Sequence, residues 1–135
     1  MIFVDTSALF ALASVRDSQH REARLAFDRL LRTERRLLTH SYVLSESMAL
    51  LQQRLGRGAA LALAAETRAF DIEWVDEPLH NAAVDALHSA PRGVSLVDQV
   101  SFLVMRRHGI DEAFAFDRHF AAAGFRLYEA LAGPG

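Results

Sequence analysis

Apolar positions along the chain follow two rhythms, short unbroken runs and runs spaced by three or four residues. Ile2-Phe3-Val4, Leu37-Leu38-Thr39 and Ala113-Phe114-Ala115-Phe116 are short and rich in aliphatic and aromatic residues, which predicts strands buried on both faces. Residues 71–76 alternate, as a strand at or near a sheet edge does, and place Trp74 in the core. Phe125 to Tyr128 reads as a last strand. Between these runs the helical spacing takes over. It predicts helices over Thr6–Ala13 and over residues 19–35, the latter with Ala23, Phe27, Leu30 and Leu31 inward. Next comes a helix capped by Ser41 and stopped by Gly56, then one over residues 57–70 packed through Leu61, Leu63 and Ala64. Pro78 stands in the first turn of another helix, with Leu79, Ala83, Ala86 and Leu87 inward. Ala90-Pro91-Arg92-Gly93 breaks it, and a largely apolar helix then runs to Gly109. A short one from Arg118 to Ala123 ends at Gly124.

The resulting order, β-α-α-β-α-α-β-α-α-β-α-β, implies an α/β fold with a mainly parallel central sheet of about five strands and helices on both faces. A chain of 135 residues is expected to form one domain, residues 1–135, with Gly133-Pro134-Gly135 as a frayed tail.

Composition narrows the chemistry. Half of the residues are apolar, so the chain is globular, and the net charge of −2 does not advertise a nucleic-acid binder. There is no Cys, which excludes thiolate nucleophiles and Cys-based zinc sites. All 15 basic residues are Arg, which excludes any chemistry that needs a lysine. The apolar start lacks a cationic leader and carries Asp5, unlike a signal peptide, and no apolar run is long enough to span a bilayer. A cytoplasmic protein without a membrane partner is expected.

Four carboxylates stand where such a sheet would gather them. Asp5 and Asp117 each follow a buried run and precede a helix. Glu46 lies one turn into the helix after the second strand, on a face shared with Tyr42, Val43, Ala49 and Leu50, where a buried carboxylate needs a partner from elsewhere. Asp98 opens the apolar helix before the fourth strand. Each has a purely structural alternative: a helix cap for Asp5, a capping box with Ser95 for Asp98, a favourable helix dipole for Glu46. Parallel strands, however, bring all their C-terminal ends to one edge, where open α/β sheets bind ligands. Two unit charges ~4 Å apart repel by about 4 kcal/mol at an effective dielectric of 20, so four acids at one edge call for a cation. All-oxygen ligation suits Mg²⁺ or Mn²⁺, which would activate water for phosphodiester hydrolysis. Thr6 or Ser7 could position a water or a phosphate oxygen, or simply cap the helix. Aspartyl-phosphate phosphatases and receiver domains use similar sheets but need a lysine, and a P-loop is absent.

Val4-Asp5-Thr6-Ser7-Ala8-Leu9, Ser45-Glu46, Ser95-Leu96-Val97-Asp98 and Phe116-Asp117-Arg118-His119-Phe120 resemble the four signature blocks of PIN-domain ribonucleases. The length and the ending Ala122-Ala123-Gly124-Phe125 resemble the VapC toxins of bacterial toxin–antitoxin pairs. The resemblance implies a Mg²⁺- or Mn²⁺-dependent endoribonuclease that cuts tRNA or a ribosomal RNA loop. It further implies a homodimer and a cognate antitoxin whose C-terminal segment fills the active-site groove. Asp5, Glu46, Asp98 and Asp117 match the family's acids, and Thr6 or Ser7 its hydroxyl position. Ala115 departs from the Thr or Ser that many members carry. Setting the four acids aside from the 17 acidic residues leaves 13 against 15 basic ones. Arg16, Arg21, Arg24, Arg54 and Arg57 are then candidates for phosphate contacts, with ordinary solvated Arg as the alternative. His119, beside Asp117, reads as a helix-surface residue. A catalytically silent module that binds an antitoxin or RNA is the alternative function.

Overall fold

In the computed structural model residues 1–129 are described; the expected fraying at Gly133-Pro134-Gly135 falls outside them. The elements follow in the expected order: β1 (Ile2–Val4), α1 (Thr6–Ala13), α2 (His20–Arg32), β2 (Leu37–His40), α3 (Ser41–Leu55) and α4 (Arg57–Thr67). Then come β3 (Asp71–Glu73), α5 (Glu77–Leu87), α6 (Leu96–His108), β4 (Glu112–Phe114), α7 (His119–Ala122) and β5 (Arg126–Leu127). The five strands form one sheet in the order β3-β2-β1-β4-β5, every pair parallel.

That order dictates where a ligand can enter. The crossovers from β1 to β2 to β3 step one way, and those from β3 to β4 to β5 step the other. Right-handed connections therefore put α1–α4 on one face and α5–α7 on the opposite face. The direction reverses between β1 and β4, and at such a switch point the flanking helices diverge and leave a crevice beyond the strand ends. Ile2, Phe3 and Val4 are fully buried because β1 is the central strand. Phe120 of α7 meets Phe102 of α6 edge to face, centroids 5.2 Å apart, and Phe3 at 6.0 Å.

Several boundaries and faces differ from those expected. α2 ends at Arg32, three residues early, because the Thr33 hydroxyl turns back to the Arg29 and Leu30 carbonyls and Glu34 takes a left-handed φ of 54°. Its buried face is Ala23, Ala26 and Leu30, while Leu31 is exposed. α4 likewise buries Leu63 but exposes Leu61. His40, not Ser41, caps α3: its Nδ1 accepts the Val43 N–H at 3.3 Å. The Ser41 hydroxyl instead accepts the Val75 N–H at 2.9 Å. β3 is only three residues long, so Trp74 lies beyond it and is 72 % exposed rather than in the core. Leu87, expected inward on α5, is exposed at its C-terminal end. β4 stops at Phe114, and Ala115-Phe116 leads out of the sheet toward Asp117.

Candidate active site

Asp5 emerges from β1 at the switch point and is both cap and buried acid. Its Oδ2 accepts the Ser7 N–H at 3.1 Å and the Ser7 hydroxyl at 2.7 Å, which starts α1. With 4 % of its surface exposed, the carboxyl is pushed up to about 6 by burial. The Ser7 hydrogen bonds oppose that shift, and the charge of Asp98 adds to it. The Ser7 hydroxyl also accepts the Phe116 N–H at 2.9 Å. This bond draws the chain after β4 away from the sheet and toward the start of α1, which explains the early end of the strand. Thr6, buried beside it, has a hydroxyl with no hydrogen-bond partner. An orphaned buried hydroxyl at a crevice is a group waiting for a water or a phosphate oxygen.

Asp98 also fills both roles. The capping box is complete: its N–H donates to Ser95 Oγ at 3.1 Å, and its Oδ2 accepts the Ser95 N–H at 3.0 Å. Burial raises its pKa, the Ser95 N–H works against that rise, Asp117 adds to it and His119 opposes it. Asp117 follows β4 by three residues, and its Oδ1 accepts the His119 N–H at 2.9 Å. The His119 ring points back into the group, with Nδ1 2.9 Å from Asp117 Oδ1 and 3.6 Å from Asp98 Oδ2. His119 is thus partly exposed on its short helix, as expected, with Nδ1 turned toward the two acids. One ligand atom each from Asp98, Asp117 and His119 lies within 4.8 Å of the others.

Asp5, Asp98 and Asp117 are thus linked in a chain of mutual repulsion, and no arginine figures among the charges acting on Asp5 or Asp98. Glu46 is not part of this close group. It sits on the second turn of α3, after the C-terminal end of β2, and is exposed rather than buried. Its expected need for a buried partner therefore does not arise. Neighbouring Tyr42, one turn earlier, bridges to the other face through its hydroxyl, 2.6 Å from His80 Nδ1. Ala115 is buried and offers no side-chain donor or acceptor. All five candidate arginines are exposed; Arg24 approaches Asp28 at 4.0 Å, and Arg54 lies over the Phe10 ring at 5.3 Å.

An all-parallel sheet in this order, with acids gathered at its switch point, is the architecture of PIN domains, and the PIN domain family model matches residues 2–126. The chain belongs to the PIN domain family. Within it, the chain is 40% identical over 129 residues to the 23S rRNA-specific endonuclease VapC20 of Mycobacterium tuberculosis (strain ATCC 25618 / H37Rv), covering 93% of this chain and 95% of that protein. The crystal structure of Mycobacterium tuberculosis VapC20, a Sarcin-Ricin loop cleaving toxin, matches with a TM-score of 0.83 and 39% identity over 93% of this chain and 96% of that one. A toxin-antitoxin complex from Klebsiella pneumoniae shares the fold, with a TM-score of 0.67 at 17% identity over 96% and 98% of the two chains. PAE2754 from Pyrobaculum aerophilum matches with a TM-score of 0.61 at 25% identity, over 93% of this chain and 87% of that one.

Proposed function

We propose that this protein is a metal-dependent endoribonuclease toxin of the VapC type that hydrolyses a phosphodiester bond in a ribosomal RNA loop. The observation that carries the reading is 40% identity, spread over 129 residues, with a 23S rRNA-specific endonuclease. That likeness favours a ribosomal loop of the sarcin–ricin kind over tRNA. RNA is recognised through splayed, single-stranded loops and phosphate contacts, for which the exposed Arg16, Arg21, Arg54 and Arg57 are available.

Asp5, Asp98 and Asp117 fit a hard divalent ion, Mg²⁺ or Mn²⁺, because they are partly buried carboxylates whose charges raise one another's pKa. Such an ion would supply Lewis acidity, lowering the pKa of an attacking water and neutralising charge that builds on the phosphate. The chain's own residues do the rest. Ser7 fixes one oxygen of Asp5, and Ser95 fixes one of Asp98, so the acids face the crevice without rearrangement. The unspent Thr6 hydroxyl orients a water or a phosphate oxygen. Glu46, exposed on α3, approaches from the RNA side and takes a proton from water or contacts an outer water.

A cognate antitoxin, a homodimeric assembly and a cytoplasmic setting belong to the same reading. Among the described residues no helix is long and apolar enough to cross a membrane. The test is incubation of intact ribosomes and of a sarcin–ricin hairpin with the purified chain in Mg²⁺ or Mn²⁺, with mapping of the new RNA ends. One cut in the loop, abolished by EDTA and by Asp98→Asn, is expected. Full activity in EDTA, or an active Asp98→Asn variant, would overturn the reading.

A further inference from the structure

The histidine that turns into the acidic group raises a question that the carboxylates alone do not answer. Its Nδ1 stands between two carboxylates, 2.9 Å from Asp117 Oδ1 and 3.6 Å from Asp98 Oδ2. His119 Nδ1 is buried at the atom level, yet makes no aligned hydrogen bond, even though Asp117 Oδ1 stands 2.9 Å away. The in-plane direction of that nitrogen is therefore not spent on Asp117. That carboxyl oxygen is already engaged by the His119 backbone N–H.

Gly93 flanks the ring on its Nε2–Cε1 side. A Cβ placed on Gly93 would lie 3.4 Å from His119 Nε2 and 3.6 Å from Cε1. Gly93 also holds a φ of +93°, which L side chains avoid, so the loop before α6 calls for a glycine beside the ring.

The donor spacing suits coordination. Two atoms each about 2.1 Å from one ion lie about 3.0 Å apart at a right angle and about 3.4 Å apart in a tetrahedron. The separations of Nδ1 from Asp117 Oδ1 and Asp98 Oδ2, 2.9 and 3.6 Å, bracket those values. We propose that His119 is a direct nitrogen ligand of the divalent ion, completing an Asp98–Asp117–His119 triad that favours Mn²⁺ over Mg²⁺. Imidazole ranks Mn²⁺ and later transition ions above Mg²⁺, which keeps to oxygen donors. This rests on the nuclease reading above and goes beyond it by adding a ligand of a different chemical class.

The experiment uses the full chain loaded with Mn²⁺ and pulsed electron paramagnetic resonance, which detects ¹⁴N coupled to the ion. The unmodified protein is expected to show imidazole-type nitrogen modulation, and His119→Gln to lose it while still binding Mn²⁺. Calorimetry should show Mn²⁺ affinity falling by about tenfold or more in that variant and Mg²⁺ affinity falling less. If His119→Gln fails to fold, His119→Asn serves as the second variant, and the spectrum of the unmodified chain is decisive by itself. Saturable Mn²⁺ binding without nitrogen modulation would overturn the triad and leave the nuclease reading standing. No saturable Mn²⁺ binding in the millimolar range would overturn both.

Discussion

The ends of β1 and β2 are neighbours built on one plan and put to opposite uses. Each strand stops on a buried polar residue that caps the following helix, Asp5 for α1 and His40 for α3. Burial turns both away from their charged forms, lifting Asp5 to about 6 and dropping His40 to about 3. His40, however, is fully employed. Its Nδ1 takes the Val43 N–H, its Nε2–H reaches Ser101 Oγ at 2.8 Å, and its ring stacks on Phe3. Asp5 has one oxygen tied by Ser7, a second anion nearby in Asp98, and an unpartnered hydroxyl in the adjoining Thr6. What separates a structural strand end from a chemical one is unspent hydrogen-bonding and charge capacity, not burial or position.

The comparison breaks most visibly in activity. Asp5→Asn should keep the cap to Ser7 but cut RNA on the order of 10³-fold more slowly, as loss of several kcal/mol of charge stabilisation requires. A cleavage assay on ribosomes checks it, and unaltered circular dichroism shows that the fold survives. His40→Ala should do the reverse. Losing a well-packed, doubly hydrogen-bonded ring costs about 3 kcal/mol and about 10 °C in Tm, while cleavage per folded molecule is retained.

The same pair gives opposite pH slopes in metal-free protein. Between about 4 and 6 the folded state keeps a proton on Asp5 that the unfolded chain has released, so stability falls as pH rises through that window. Between about 3 and 6.5 the unfolded chain protonates His40 and the folded one does not, so stability rises with pH there. Asp5→Asn removes the falling contribution. It should therefore gain about 3 kcal/mol over the parent at pH 7.5 in EDTA and show almost no gain at pH 4, as urea melts at the two values would reveal. The smallest effect is expected at Trp74, which is largely exposed: Trp74→Ser should move stability by no more than about 0.5 kcal/mol.

Much of this was readable from the residue order, and the failures have physical causes. The parallel sheet follows from buried runs too short and too apolar for anything else, and from helices between every pair of them. Asp5 and Asp98 were legible because a strand end and a capping box are local patterns. Trp74 was misplaced because alternation predicts the side of a strand to which a residue points, not whether a helix covers that side so close to the strand's end. Leu31 and Leu61 failed in the same way, since helical spacing marks a stripe and packing selects which part of it is buried. Glu46 has apolar neighbours along its helix, yet the crevice leaves that flank open. The inward turn of the His119 ring was not legible because it depends on Asp98, distant in the chain. A His two residues after a strand-end Asp, within reach of a Gly-containing break, was the only available signal.

The bond from the Phe116 amide to the Ser7 hydroxyl spans 109 positions of the chain. It ties the first turn of α1 to the segment that follows β4, so Asp5 and Asp117 meet only once β4 has docked beside β1. Contacts so far apart along a chain close late in folding, so the acidic group is a property of the finished sheet and of no smaller piece of it.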